Sequence, residues 1–332
     1  MSTITFEQPL NAEAMRRVMT DLMAGTLAEE EVKAFLTTLA KRGETAEELA
    51  TAVEVLREHA VRLPLSRPYE LCDTCGTGGD GQGTINISTL AALVAAAAGV
   101  RISKHGNRAA SSRYGSADLL EALGVNLDAT PAQVARCIEE VGFGFCFAPR
   151  FHPAMKVVAP IRKTLGIRTI FNLIGPLANP VPLTFQLVGV AETRLMRPMA
   201  EALLRLGIRH GFVVHGRDGL DEVTTTAPTD CVELRDGQLT ERQLEPSSLG
   251  VALGRLDALR GQDAVYNARI AHEVLGGSPS ALRDIIMVNA GCAIYTADCA
   301  ATIKEGMAKA RDAIDGGRAR MLLDRVVELT RG

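Results

Sequence analysis

The chain has 332 residues, of which 47% are hydrophobic and 23% charged, and its formal net charge is -3. This composition is typical of a folded protein large enough for two domains, and it excludes a disordered chain. The small negative charge, the absence of Trp and an aromatic content of 4% argue against nucleic-acid binding. The longest apolar run, residues 90–100, is too short to span a bilayer, and the N-terminus lacks the pattern of a secretion signal. We therefore expect a cytoplasmic protein with neither a nucleic-acid nor a membrane partner.

The N-terminal part of the chain is predicted to be helical, because its apolar residues recur at helical spacing. The three apolar stripes are Met15, Val18, Met19, Leu22 and Met23, then Val32, Phe35, Leu36 and Leu39, then Leu49, Ala52, Val53 and Leu56. Two helix starts have the residues of a capping box, Thr26 with Glu29 and Thr45 with Glu48. Helices this short must pack together, against the rest of the chain or against a second subunit. Prolines and a serine at residues 64–68 predict a linker after them.

From residue 69 onward, predicted strands alternate with helical patterns. The predicted strands are Glu70–Asp73, Val100–Ser103, Phe143–Ala148, Gln186–Val190 and Gly211–Val214, followed by a hairpin of Cys231–Leu234 and Gln238–Leu244. The tail from Asp263 is predicted to be mostly helical. This alternation indicates an α/β domain with a mostly parallel sheet, whose ligands bind beyond the carboxyl ends of the strands.

The seven cysteines are odd in number and scattered, as expected for reduced thiols. Cys72 and Cys75 form a C-x-x-C pair, but a zinc site would require a second pair, and the chain has none. A redox pair would lie at a helix start, whereas this one lies at the end of a predicted strand. We interpret both cysteines as core thiols.

A glycine-rich loop over residues 73–89 follows the first predicted strand and precedes a long apolar segment. Glycines allow a ligand to approach the backbone amides, and a helix N-terminus presents free N–H groups to an anion. Asn86, Ser88 and Thr89 are N-cap candidates for the helix that follows. The loop therefore predicts a phosphate site, with an ordinary glycine turn as the alternative.

The sequence of the glycine loop argues against two common types of phosphate-binding loop. No Lys-Ser or Lys-Thr pair follows the glycines, so the loop is not a Walker A motif. The glycine spacing fits a Rossmann dinucleotide loop poorly, and Asp80 would repel a pyrophosphate unless a cation lay between them. Asp80 therefore indicates a diphosphate bound together with a divalent metal ion.

Two further loops after predicted strands carry groups that suit such a ligand. Lys104 and Arg108 offer cationic donors in the loop after the second strand, where the alternative is a pair of solvated charges. Asp221 and Glu222 could ligate a hard cation, although adjacent acidic residues are usually surface charge. Arg162 could bind a carboxylate in bidentate fashion, or it could be a surface arginine.

Together these motifs resemble the anthranilate phosphoribosyltransferases, the tryptophan-biosynthesis members of the nucleoside phosphorylase-like phosphoribosyltransferase family. The resemblance covers nearly the whole chain, and it depends on Gly76-Thr77-Gly78-Gly79-Asp80, Asn86-Ile87-Ser88-Thr89, Lys104-His105-Gly106-Asn107-Arg108, Ser116, His152-Pro153-Ala154-Met155-Lys156, Gly175-Pro176-Leu177 and Asp221-Glu222. The family usually has aliphatic residues where this chain has Cys72 and Cys75. That departure does not touch the chemistry.

The resemblance implies a small N-terminal α-helical domain, residues 1–68 with a returning segment near 155–178, and a larger α/β domain, residues 69–332. It implies transfer of the phosphoribosyl group of phosphoribosyl pyrophosphate (PRPP) to anthranilate, with Mg²⁺ as cofactor, two ions per subunit. It also implies a homodimer formed through the helical domain. This reaction requires charge stabilisation and alignment of the two substrates rather than a nucleophilic side chain of the enzyme. Loops rich in glycine, hydroxyls and carboxylates fit that requirement.

Carried over position by position, the resemblance assigns residues to three ligands. The predicted PRPP residues are Gly76, Gly79, Asp80, Thr84, Asn86, Ile87, Ser88, Thr89, Lys104, His105, Gly106, Asn107, Arg108, Ala109, Ala110, Ser111, Ser112 and Ser116. The predicted anthranilate residues are Gly76, Asn107 and Arg162, and the predicted metal ligands are Ser88, Asp221 and Glu222.

Two alternatives share the fold. A pyrimidine nucleoside phosphorylase resembles a longer chain with an additional C-terminal domain, which 332 residues hardly accommodate. A nucleic-acid-binding relative would have a basic surface and would have lost the metal carboxylates, whereas this chain has a net charge of -3 and retains Asp221 and Glu222.

Overall fold

A computed structural model describes residues 6–109 and 114–332. Its central sheet has seven strands in the order β3-β2-β1-β4-β5-β6-β7. The strands are β1 Cys72–Gly76, β2 Ile102–Gly106, β3 Phe143–Phe147, β4 Phe185–Gly189, β5 His210–Gly216, β6 Thr229–Arg235 and β7 Gln238–Leu244. The first five strands pair in parallel, and β6 and β7 add an antiparallel hairpin to one edge. With the N-terminal helices, this sheet confirms the predicted fold class.

Helices cover both faces of this sheet. They are α1 Ala12–Ala24, α2 Glu29–Arg42, α3 Ala46–Glu58, α4 Ile87–Ala97, α5 Ser116–Ala122, α6 Pro131–Val141, α7 Ala148–Phe151, α8 Ala159–Leu165, α9 Ile170–Ile174, α10 Met196–Arg205, α11 Ala264–Leu275, α12 Ala281–Thr296, α13 Ile303–Asp315 and α14 Arg318–Arg331. One apolar core joins α4, α12 and α13 to one face of the sheet, and a second core joins α1–α3 and α10 to the other. Among the described residues, no helix is long and apolar enough to cross a membrane.

The three N-terminal helices form where the apolar stripes predict them, but only one capping box is as predicted. The Thr45 hydroxyl caps the Glu48 amide, and the Glu48 carboxylate accepts from the Thr45 N–H at 2.9 Å and also binds Arg42. The predicted box of Thr26 with Glu29 is wrong. The Thr26 hydroxyl donates to the Asp21 carbonyl instead, so it closes the end of α1 rather than opening α2.

A returning segment packs against the N-terminal helices. Helix α8 contacts α2, and α9 contacts both α2 and α3. Arg57 of α3 donates from Nη2 to the Leu177 carbonyl at 2.7 Å, just after α9. This packing suits the predicted division into residues 1–68 with 155–178 and residues 69–332, which stays a prediction.

Strands β1 and β2 each begin two residues and end three residues later than predicted. Glycine in a sequence usually marks the end of a strand, but Gly76 pairs with Gly189 in the β1–β4 ladder because the sheet continues to that point. Cys72 and Cys75 therefore both lie within β1, and all seven cysteines are free thiols.

Candidate active site

The loops at the carboxyl ends of the parallel strands surround one cavity of about 280 Å³. Its lining includes every described residue predicted for PRPP or metal, namely Gly76, Gly79, Asp80, Thr84, Asn86, Ile87, Ser88, Thr89, Lys104, His105, Gly106, Asn107, Arg108, Ala109, Ser116, Asp221 and Glu222. The predicted residues Ala110, Ser111 and Ser112 lie outside the described residues. The structure thus brings the predicted set together, while the ligand of each residue stays a prediction.

The glycine loop is fixed from several sides. Gly78 has a φ of 61°, a left-handed conformation that favours glycine, and its N–H donates to Asp221 Oδ2 at 2.7 Å. A distant segment adds support, because the Gly261 N–H donates to the Gly83 carbonyl and Thr84 forms a β-bridge with Arg260. No local sequence signal predicts this support by the C-terminal part of the chain.

The start of α4 faces the cavity, but it is not capped as predicted. Asn86 occupies the N-cap position, yet its side chain donates to the Tyr114 carbonyl, and its Oδ1 is buried without a partner among the described residues. Ser88 lies in the first turn of the helix, where its N–H donates to Glu222 Oε1 at 3.1 Å. A carboxylate from the third loop thus satisfies the helix N-terminus.

Lys104 is buried beneath the glycine loop rather than exposed to solvent. Its Nζ donates to the Thr74 carbonyl and lies 3.5 Å from Ser88 Oγ. Nearby Asp73 is buried and accepts from Asn179 Nδ2 at 2.9 Å, and burial raises the pKa of its carboxyl group to about 6. Lys104 therefore supplies positive charge close to the buried carboxylates.

Arg108 lines the first cavity, and its guanidinium is engaged by two carboxylates, while its predicted contact with PRPP stays a prediction. Its guanidinium Nη1 lies 2.8 Å from both Asp118 Oδ1 and Glu121 Oε2. These two carboxylates neutralise the arginine in this structure. Ser116, which also lines the cavity, donates from Oγ to the Asn107 carbonyl at 3.3 Å.

Two glycines make room for the acidic pair. A Cβ at Gly76 would overlap Asp221 Oδ2, and one at Gly189 would overlap the Asp221 backbone. Burial and repulsion by Asp80 raise the pKa of Asp221 to about 6, and burial and repulsion by Asp221 raise that of Glu222 well above its usual range. Two adjacent buried carboxyl groups at a cavity, with raised pKa values, suit a divalent cation.

The donor set fits a cation that substrate oxygens also ligate. Among the described residues, no three His, Cys, Asp or Glu side chains converge on a protein-only metal centre. Mg²⁺ commonly binds through one or two carboxylates together with phosphate oxygens and water. Asp221 and Glu222, with the Ser88 hydroxyl, meet that requirement at the edge of the cavity.

We expect the acidic pair to destabilise the metal-free protein as pH rises. The folded-state pKa of both carboxyl groups lies above the usual unfolded values, so the folded form binds more protons and loses stability from about pH 4 to above pH 6. We therefore measure thermal unfolding in the presence of a chelator. The melting temperature of the Asp221→Asn, Glu222→Gln variant minus that of the unchanged protein should increase as the pH rises across this range. Asp73 keeps its own shift in both proteins. A difference that does not vary with pH would contradict this expectation.

A second cavity of about 250 Å³ adjoins the first. It is lined by Leu56, His105, Asn107, Ala148, Pro149, His152, Met155, Lys156, Ala159, Arg162, Phe171, Ile174, Gly175 and Ala178. His105 and Asn107 line both cavities. Of the predicted anthranilate residues, Asn107 and Arg162 line this second cavity, whereas Gly76 lines only the first.

The polar groups of the second cavity favour an aromatic anion. Arg162 donates from Nη2 to Asn172 Oδ1 at 3.3 Å and lies over the Phe171 ring at 5.4 Å. Burial lowers the pKa of Arg162, and no nearby carboxylate among the described residues offsets it. His105 packs edge-on against His152 with ring centroids 5.1 Å apart, and burial lowers the pKa of His105 to about 3, so this ring is neutral.

Known proteins are similar to this chain in sequence and in fold. Residues 3–60 match the glycosyl transferase family, helical bundle domain, and residues 68–320 match the glycosyl transferase family, a/b domain. The chain is 48% identical over 312 residues to anthranilate phosphoribosyltransferase of Symbiobacterium thermophilum, covering 94% of this chain and 91% of the relative. The crystal structure of anthranilate phosphoribosyltransferase from Thermus thermophilus matches with a TM-score of 0.93 and 46% identity, covering 98% and 97% of the two chains. The Saccharomyces cerevisiae enzyme in complex with PRPP and Mg matches with a TM-score of 0.89 and 31% identity, covering 97% and 94%.

Proposed function

Because this chain belongs to the anthranilate phosphoribosyltransferases of the glycosyl transferase family, we propose that it transfers the 5-phosphoribosyl group of PRPP to the amine of anthranilate, releasing pyrophosphate. The product, N-(5-phosphoribosyl)anthranilate, is an intermediate of tryptophan biosynthesis. One observation supports this reaction above all. A cavity lined by the glycine loop, Lys104 and the acidic pair adjoins a cavity with an arginine and an aromatic wall, and His105 and Asn107 line both.

In this proposal each cavity binds one substrate. PRPP occupies the first, where loop amides, hydroxyls and the buried Lys104 surround its phosphates. Anthranilate occupies the second, with its carboxylate at Arg162 and its ring against Phe171. Its amine then points toward the boundary formed by His105 and Asn107.

The residues act by alignment and charge. The anthranilate nitrogen forms a bond to the anomeric carbon as the bond from that carbon to the pyrophosphate oxygen breaks. Since the aryl amine is neutral near pH 7, it needs no strong base to attack, and after the new bond forms the nitrogen gives up a proton to water or to the released pyrophosphate. His105 Nε2 is buried without a partner among the described residues, so it can accept a hydrogen bond from the amine. Holding both substrates in register supplies much of the rate enhancement.

Ser88, Asp221 and Glu222 would hold Mg²⁺, and we propose two ions per subunit, as the family resemblance implies. When bound, the metal offsets the charge that develops on the departing pyrophosphate. The solved complex of the yeast relative with PRPP and Mg supports this choice of cofactor. The residues present fit Mg²⁺ because two adjacent carboxyl groups line the cavity and the pKa of each is raised.

We also propose a cytoplasmic homodimer that associates through the helical part. Val157 and Ile167 are 45% and 46% exposed on the segment that packs against the N-terminal helices, and burying them would favour association. The seven free thiols suit a reducing compartment. Light scattering on the purified protein measures the oligomeric state.

A fluorescence assay tests the activity. With Mg²⁺ present, anthranilate fluorescence should fall only when PRPP is added, and pyrophosphate should appear in equal amount. Phosphate-dependent release of base from thymidine or uridine, without loss of anthranilate, would instead indicate a nucleoside phosphorylase. Salt-sensitive DNA binding without either activity would indicate a nucleic-acid-binding relative.

A further inference from the structure

Arg168 contacts the glycine loop, and the reaction described above does not use this contact. It lies between α8 and α9, and its Nη1 donates to the Gly78 carbonyl at 2.8 Å. Its Nη2 lies 3.4 Å from the Thr77 carbonyl. One guanidinium thus reaches two successive carbonyl groups of the glycine loop.

Gly78 is therefore fixed from both sides. Its N–H donates to Asp221 of the third loop, and its carbonyl accepts from Arg168 of the returning segment. Gly78 is exposed and has positive φ, so without these two bonds a glycine-rich loop would sample many conformations.

The segment that carries Arg168 also carries the arginine of the second cavity. Asn172 Oδ1 accepts from the Thr169 N–H at 3.0 Å and from Arg162 Nη2 at 3.3 Å. Helices α8 and α9 pack against α2 and α3, so this segment belongs with the helical part. The glycine loop and the second cavity consequently share one short stretch of chain, residues 162–172.

We propose that Arg168 is a positioning residue that links the glycine loop to residues 162–172. Its two hydrogen bonds hold the loop in the conformation that binds PRPP while residues 162–172 pack against the N-terminal helices. This proposal rests on the proposed function, because it takes PRPP as the ligand of the first cavity. It requires that loss of Arg168 weakens PRPP binding and leaves anthranilate binding intact. Arg162 keeps its own partners, Asn172 and Phe171, in such a variant.

The experiment compares Arg168→Met, Arg168→Lys and the control Lys163→Met, which removes one positive charge from an exposed position in the same segment. Titration calorimetry with PRPP and Mg²⁺ gives Kd without turnover, and steady-state kinetics give both KM values. For Arg168→Met we expect the Kd of PRPP to rise about tenfold, the KM of anthranilate to change less than about twofold, and the melting temperature to stay unchanged. Arg168→Lys retains a single cationic donor group, so its Kd for PRPP should lie between those of the unchanged protein and Arg168→Met. The control should have the same Kd as the unchanged protein.

Each other outcome is decisive. Normal PRPP binding by Arg168→Met, in a chain that is otherwise active, overturns the role of Arg168 alone. If Lys163→Met weakens PRPP binding as much as Arg168→Met does, the effect is one of general charge, and the positioning role of Arg168 is overturned. If the unchanged protein binds no PRPP, the proposed function fails, and the role of Arg168 fails with it.

Discussion

Replacing Asp221 with Asn and Glu222 with Gln should reduce kcat/KM by at least about a thousandfold while the protein stays folded. Both replacements keep an oxygen that can accept from the Gly78 and Ser88 amides, so the backbone contacts of the two side chains survive. The negative charge that would bind Mg²⁺ beside pyrophosphate is lost. Turnover measured across a range of Mg²⁺ concentrations checks this result.

A matched control removes the same charge elsewhere. Asp236→Asn with Glu241→Gln changes two exposed acidic residues of the β6–β7 hairpin, neither of which lines the cavity. This control should retain normal activity. Near-normal rates of the Asp221→Asn, Glu222→Gln variant at limiting Mg²⁺ would refute the metal assignment. A melting temperature well below that of the control would mean that the lost activity reflects unfolding.

The sequence predicts which loops line the first cavity because each signal lies within a single loop. A glycine loop after a strand, with Asp80 inside it, is enough to indicate a diphosphate accompanied by a cation. In the structure Asp80 lies close enough to Asp221 to raise the pKa of that carboxyl group. The parallel sheet then brings the loops after β1, β2 and β5 to one edge, as the order of strands and helices predicts.

What the sequence misses depends on contacts between distant segments. Arg168 looks like any other arginine until folding places it at Gly78, ninety residues away along the chain. The support of Thr84 by Arg260 has no local pattern at either end. Arg108 is engaged by Asp118 and Glu121, a competition that a motif cannot reveal.

The same limit explains the capping errors. Thr26 precedes a helix and has a hydroxyl that could cap it, but this hydroxyl donates to the Asp21 carbonyl in the last turns of the preceding helix. At α4 a carboxylate from another loop, Glu222, takes the place of the predicted local cap. Helix termini near a binding site are satisfied by whatever the tertiary structure places there.

Replacing Arg162 with Ala should raise the KM of anthranilate about fiftyfold and change the KM of PRPP little. Burial lowers the pKa of this guanidinium and no carboxylate of the described residues neutralises it, so a carboxylate ligand gains a strong, partly desolvated partner. Arg162→Lys should recover only part of the loss, because an ammonium cannot bind both carboxylate oxygens in a planar pair.

Steady-state kinetics with each substrate varied in turn separate the two KM values. Arg205→Ala, an exposed arginine on α10 outside both cavities, controls for the loss of one positive charge. A benzoate-type ligand lacking the amine should lose affinity for Arg162→Ala as much as anthranilate does, whereas aniline, which lacks the carboxylate, should bind both proteins alike. If aniline and anthranilate were affected equally, Arg162 would act on the shape of the cavity and not on the carboxylate. That comparison assigns the charge recognition to one side chain, since the Phe171 wall stays the same in every protein compared.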